Sequence, residues 1–313
     1  MEKPADLGFR MPAEWEPHDA VWFSWPHPDT ESFPGAYDRI PRALGALVRA
    51  AAEFEPARVN VRDAGEEKEA RRHIGKCDNV QFFPIDSDEP WCRDHGPIFL
   101  VNDRSGEVAV ADFEFNSWGR KLPRWELDRR VPEAMARQLG LRHLVCPVIL
   151  EGGSVEVNGT GSVLTTRSCL LNPNRNPALT EEQIVRNLEQ WLGVRNVLWL
   201  GDGIEGDDTD GHIDDLTRFV GKSRVLTVRE DNPEDPNHAV LEENWQTLRA
   251  LRDEDGNLLD IVALPMPERR RDWQGHRLPC SYANFLIVNG GVLVPAFDDP
   301  AVTAVRQTAH ART

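Results

Sequence analysis

Residues 153–166 read GSVEVNGTGSVLTT, two short apolar-alternating runs joined by a polar turn at Asn158-Gly159. Period-two alternation is the pattern of a strand, and Asn-Gly meets the positive φ of a tight turn, so the stretch predicts a β-hairpin. The pattern returns in PIFLVNDRSGEVAVAD (97–112), LTRFVGKSRVLTV (216–228) and ANFLIVNGGVLVP (283–295), the last turning at Asn289-Gly290. One unit used several times implies a repeat architecture.

Outward from each hairpin the pattern continues. In 124–140, Leu127, Val131, Ala134, Met135 and Leu139 recur at helical spacing; Thr180 with Gln183 forms a capping-box signal for a helix over 180–193. Val240, Leu241, Trp245, Leu248 and Leu251 predict a third helix over 237–252. A β-forming run follows each: HLVCPVIL (143–150), VRNVLWL (194–200) and LDIVALP (259–265). The unit is hairpin, helix, strand, at a period of about 55–65 residues. The N-terminal part differs, with a lone strand AVWFSWP (20–26), a helix at 37–54, RVNV (58–61), a short helix and VQFF (80–83). After the last hairpin a helix is expected over 299–310, and no closing strand follows before Thr313. The expectation is an α/β protein, one domain over 1–313, with an incomplete last unit and an exposed strand edge beside AVWFSWP that favours association with another copy.

The polar chemistry collects where one unit meets the next, in DSDEPWCRDHGP (86–97), EGGS (151–154) and GDGIEGDDTDGHID (201–214). Equivalent junctions of a radial repeat face one axis, which brings Asp94, Glu151, His212 and Asp214 together. Gly96, Gly152, Gly153 and Gly211 permit tight turns beside them. If 212–214 is extended, His212 and Asp214 share a face, and a histidine beside a carboxylate suits acid–base work. Each residue also has a plainer reading. Asp94 beside Arg93 is a structural ion pair, Glu151 caps a hairpin, and 207–215 is a solvated acidic loop. A hard-cation site of Asp208, Asp210, Asp214 and Glu151 is a further alternative. An EF-hand fails on register, and no HExxH or zinc-ligand spacing occurs, so neither cofactor nor metal is expected.

Composition narrows the partners. A formal net charge of −16 disfavours nucleic acid and anionic membranes and concentrates cations. No apolar stretch has the length of a membrane span, and five cysteines without a CxxC pair suit reduced thiols, so a cytoplasmic protein is expected.

WEPHDAVWFSWPH (15–27), WCRDHGP (91–97), EGGSVEVNGTGSVLTT (151–166), LLNPNRNP (170–177), GDDTDGHID (206–214) and SYANFLIVNGGVLVP (281–295) together resemble the agmatine deiminase family, which includes the bacterial-type peptidylarginine deiminases. The resemblance implies a pentein propeller, five ββαβ-type units around a pseudo-fivefold axis with a central site. It implies hydrolysis of a guanidine C–N bond, agmatine giving N-carbamoylputrescine and ammonia on the route to putrescine, with peptidylarginine as the alternative substrate. By motif, Asp94 and Asp214 would bind the guanidinium, His212 would protonate the leaving ammonia and later activate water, and Trp91 would face the substrate; Glu151 is added from its junction. The family's cysteine nucleophile lies in a GGG-x-H-C segment that residues 1–313 do not contain. Cys92 is the substitute to consider, on the face of Asp94 if 91–94 is extended; Cys280 matches no nucleophile motif, and Cys77, Cys146 and Cys169 read as ordinary buried thiols. On that reading the chain binds guanidines and turns agmatine over negligibly.

Overall fold

The computed structural model describes residues 2–272, 274–303 and 305–306. Their strands form five open sheets, and three of these share one plan. Ile98–Asn102 and Val108–Glu114 pair antiparallel, helix Val131–Leu139 follows, and Arg142–Ile149 returns parallel to the second strand. Glu156–Val157, Ser162–Thr166, helix Glu181–Leu192 and Asn196–Leu200 repeat that plan. So do Thr217–Gly221, Arg224–Arg229, helix Pro236–Ala250 and Asp260–Pro265. A parallel closing strand cannot be reached by a tight turn, which is why a helix stands in each crossover.

The N-terminal sheet is built differently, with Val21–Ser24, Ala57–Val61 and Val80–Pro84 all parallel and helices Ile40–Ala51 and Ala64–Ile74 between them. Val21–Ser24 lies at its edge among the described residues. The last hairpin, Leu286–Val288 with Gly291–Leu293, is a two-stranded sheet turning at Asn289-Gly290, where Gly290 has φ +76°.

Central strands explain why the hairpin pattern is so legible. Ser162–Thr166 is buried on both faces, and its threonine hydroxyls bond to the carbonyls of Ser154 and Gly211 rather than water. Helix Glu181–Leu192 buries Ile184, Leu188, Trp191 and Leu192 on one stripe; Thr180 accepts from the Gln183 amide and Gln183 closes the capping box. Trp191 meets Phe113 edge-on at 5.9 Å, so this helix packs across two sheets.

Several expectations need correction. Residues 92–95 are a helical turn, not extended, so Cys92 and Asp94 do not alternate onto one face. Asp214 belongs to a 3-10 turn, Ile213–Asp215, whose N-cap is His212, so period-two alternation does not place that pair. The helix expected from 124 begins as a 3-10 turn at Asp128 and becomes α-helical at Val131. The helix over 299–310 falls partly outside the described residues.

Of the three junction turns, Gly152–Ser154 packs on both Cys92–His95 and Ile213–Asp215, although the sequence separates them widely. No helix among the described residues is long and apolar enough to cross a membrane.

Candidate active site

Gly153 is the point on which the site is built. Its N–H donates to Asp94 Oδ1 at 3.0 Å. A Cβ there would lie 2.5 Å from His212 Nδ1, 2.6 Å from Asp94 Oδ1 and 2.9 Å from Asp214 Oδ2. No side chain fits, so the bare backbone lets an imidazole and two carboxylates crowd around one position. Asp94, His212 and Asp214 are therefore brought together as the junctions implied, with His212 Nδ1 3.6 Å from Asp94 Oδ1.

Each group is held from behind. Asp94 Oδ2 accepts from Trp118 Nε1 at 3.0 Å. That indole is presented by a left-handed turn in which Ser117, Trp118, Gly119 and Arg120 all have positive φ. Such a conformation costs roughly 1–2 kcal/mol for each non-glycine residue, strain of the kind concentrated at functional sites. The His212 N–H donates to Asp207 Oδ2 at 3.0 Å, which anchors the acidic loop to the imidazole's own backbone. Glu151 is fully buried, and its Oε1 accepts from Arg175 Nε at 2.7 Å. Arg175 also bonds the Thr209 carbonyl and Asp210, and Lys121 reaches Asp210 at 2.7 Å.

These contacts decide between the plainer readings. Arg93 does not pair with Asp94; it faces Glu14 at 2.9 Å, Glu156 at 3.6 Å and Asp214 at 3.8 Å. Residues 207–215 are a pinned loop. Asp210 is neutralised by Lys121 and Arg175 and is not free to bind a hard cation with Asp208, Asp214 and Glu151. Glu151 caps nothing through its side chain. Trp91 is 43% exposed; its Nε1 donates to Ser32 Oγ at 2.7 Å and its ring lies 5.7 Å from that of Phe33. A neighbouring cleft of about 380 Å³ is lined by Glu14, Trp22, Cys92, Arg93, Gly152 and Glu156.

Burial and like charge set the proton affinities. Burial opposes a charge on His212, but Asp94, Cys169 and Asp214 outweigh it and hold the imidazole well above its usual value. Asp214 is raised by burial, with Arg93 and His212 pulling the other way. The site thus favours a protonated imidazole between two carboxyl groups, the arrangement of a general acid.

Three participants were missed from the sequence. Trp118 sits in NSWGR, where only its neighbour Gly119 marks a turn. Arg175 lies inside the LLNPNRNP segment, an arginine among turn-forming residues, and that oddity was the available signal. Cys169 corrects the expectation of an ordinary buried thiol: it is buried, but beside His212 and Glu151.

Residues 10–312 match the family model described as Porphyromonas-type peptidyl-arginine deiminase. The chain belongs to that family. An agmatine deiminase of Pseudomonas aeruginosa is 37% identical over 95% of this chain and 86% of its own length. One from Pseudomonas putida is 38% identical over 97% and 87%. The solved agmatine deiminase of Enterococcus faecalis superposes with a TM-score of 0.92 at 31% identity, covering 100% of this chain and 91% of that one. Family membership accounts for the α/β architecture and the order of the junction motifs.

Proposed function

We propose that the Gly153-centred cluster holds the guanidinium of a small cation, agmatine first, and serves hydrolysis of its C–N bond to N-carbamoylputrescine and ammonia. The observation that carries this is two carboxylates and a proton-rich imidazole around one bare backbone position. A guanidinium is planar and permanently charged, so Asp94 and Asp214 match it as fork-like acceptors and offset its desolvation. Once a thiolate has added to the guanidinium carbon, His212 protonates one nitrogen of the tetrahedral adduct so that the C–N bond breaks and ammonia leaves; the neutral imidazole then takes a proton from water, and the hydroxide adds to the same carbon and expels the thiolate. Trp91 serves as the exposed wall, and Glu151 places a carboxylate oxygen 4.0 Å from the far side of the imidazole. The names of the relatives support agmatine over peptidylarginine.

A second reading, guanidine binding without turnover, is favoured by the thiols. Burial pushes Cys92 up to about 12, with Asp94 and Asp128 adding to it and Ser24 opposing. Burial raises Cys146 to about 12 and also lifts Cys169 and Cys280. Cys77 packs against the core of the N-terminal sheet. Nucleophilic attack on the guanidinium carbon requires a thiolate, which these four environments oppose. Calorimetry with agmatine and an ammonia-release assay on the purified chain separate the readings. Binding that survives both Asp94→Asn and Asp214→Asn sinks the site assignment. Robust ammonia release, lost in His212→Ala but kept in Cys92→Ala, sinks the binding-only reading.

We also infer that the five sheets are blades around a pseudo-fivefold axis, within one domain over 1–313 of a cytoplasmic protein. Support comes from the hairpin–helix–parallel-strand plan that three sheets share and from the Gly152–Ser154 turn packing on both other junction turns. A single cooperative urea transition followed by several probes is expected; separate transitions would count against one domain.

A further inference from the structure

Behind the guanidinium position lies a second cluster with different chemistry. One ligand atom from each of Glu151, Cys169 and His212 lies within 4.8 Å of the other two. All three residues are buried, at 0%, 0% and 2% exposure. Glu151 Oε2 and His212 Nε2 are 4.0 Å apart, and neither has a hydrogen-bond partner. Two unpartnered polar atoms aimed at each other in a sealed interior are costly unless something sits between them.

We propose that Glu151, Cys169 and His212 form a three-ligand site for a borderline divalent ion of the zinc type, whose binding at Nε2 displaces the imidazolium proton and so ends the acid–base service of His212. The donor set of one thiolate, one imidazole nitrogen and one carboxylate oxygen is that of zinc and cobalt, not of calcium or magnesium. Bond lengths of about 2.0–2.3 Å to a tetrahedral centre require the three atoms to draw together by roughly 1 Å. The outer partners are already in place. Asp94 Oδ1 stands 3.6 Å behind His212 Nδ1, the carboxylate–histidine arrangement that orients a metal-bound imidazole. Arg175 holds Glu151 Oε1 at 2.7 Å and leaves Oε2 free for the ion. Arg175's own charge is met by Asp210, so it does not repel a cation uncompensated. Coordination releases the Cys169 thiol proton and the imidazolium proton to buffer, and no redox step is involved. The entry is the guanidinium route past Asp94 and Asp214, whose side chains keep 12% and 9% exposure.

The inhibitory half of this proposal rests on the guanidine reading; the site itself does not, and its test reads the sulfur. Co²⁺ is titrated into the purified 313-residue chain in the absence of any guanidine. One equivalent is expected to give a thiolate-to-cobalt charge-transfer band and tetrahedral visible bands, both bleached by one equivalent of Zn²⁺. Cys169→Ser should lose the charge-transfer band and bind Zn²⁺ at least about 10–100-fold more weakly, whereas Cys92→Ser should retain the band. Wild-type chain without a stoichiometric charge-transfer band overturns the site, as does a band unaltered by Cys169→Ser. If Cys169→Ser does not fold, Glu151→Gln replaces it, and unchanged Zn²⁺ affinity in that variant is equally fatal. A cobalt band in a chain that never binds agmatine would leave this site standing and remove the guanidine reading alone. Ammonia release from agmatine unchanged by saturating Zn²⁺ would refute the inhibitory half.

Discussion

Two charge clusters lie side by side in this protein, and they are solved in opposite ways. In the first, Arg218 Nε donates to Glu156 Oε2 at 2.9 Å and Arg218 also reaches Glu14, while Arg93 donates to Glu14 at 2.9 Å. Glu14 in turn accepts from the Ile287 amide at 2.9 Å, and Arg218 donates to the Phe285 carbonyl at 2.8 Å. Two arginines meet two glutamates, so the cluster is neutral and ties the N-terminal segment, two middle sheets and the last hairpin together. In the second, Asp94, Asp214 and Glu151 surround one imidazole, and Glu151 Oε2 and His212 Nε2 stay unpartnered. The first cluster is complete without a ligand; the second has carboxylates in excess and the geometry to use them.

The largest effect should come from breaking the matched cluster. Arg218→Met leaves Glu14 and Glu156 with only Arg93, and an uncompensated buried carboxylate typically costs about 3–5 kcal/mol. Urea unfolding should show a loss of that size, whereas Asp94→Asn, which weakens one contact to the imidazolium but leaves no carboxylate unpaired, should cost less. Equal losses in both variants would erase the distinction between the clusters.

Next in size is ligand affinity. Asp94→Asn keeps its shape and both hydrogen-bonding partners nearby but removes the charge proposed to meet the guanidinium. A charge-assisted bond of about 1.5–3 kcal/mol corresponds to roughly 10–100-fold in agmatine dissociation constant. Calorimetry on the folded variant measures it, with Glu31→Gln, a surface change, as the control that should bind normally.

A smaller effect is expected behind Asp94. Trp118→Phe keeps an aromatic ring and deletes the Nε1–H that Asp94 Oδ2 accepts, together with one ring of the indole. The loss of one hydrogen bond, about 1 kcal/mol, predicts roughly a fivefold weakening of agmatine binding. An unchanged dissociation constant would show that the strained turn at 117–120 does not orient the carboxylate.

How far the sequence reveals all this depends on the range of the interactions involved. Hairpins 97–112 and 153–166 and the Thr180 capping box are written in neighbours, and alternation or a cap motif reads them directly. The turn at 92–95 is not so written. Its conformation depends on the Gly152 backbone, where a Cβ would strike the Arg93 carbonyl 2.1 Å away. Asp94, His212 and Asp214 were legible because they stand at equivalent junctions and in family motifs. Trp118 was not, since a left-handed run through Ser117 and Arg120 contradicts local propensity and is sustained only by tertiary contacts such as Asn116 with Asn174. The matched cluster was invisible for a further reason. Arg218 finds Glu156 across 62 positions and Glu14 across 204, and no periodicity relates them.

The subtlest expected difference is the sign of the pH dependence, which is opposite in the two clusters. Burial alone would raise Glu14, but Arg218 and Arg93 overcome it and hold the carboxyl at about 2, against an ordinary 4.5. A depressed carboxyl binds fewer protons folded than unfolded, so its stabilisation is full above 4.5 and is lost as the pH falls towards 2. His212 is raised above its ordinary 6.5, so its stabilisation is full below that value and is lost as the pH rises through the folded-state value. Stability differences between wild type and Glu14→Gln should therefore shrink on acidification, and those between wild type and His212→Gln should shrink on going alkaline. Urea midpoints taken across the acid range for the first pair, and from neutral to alkaline for the second, measure both slopes. A His212→Gln difference that grows with pH would mean the imidazole is buried neutral. In that case it has no proton ready for a leaving nitrogen, and the site cannot act as the general acid assigned to it.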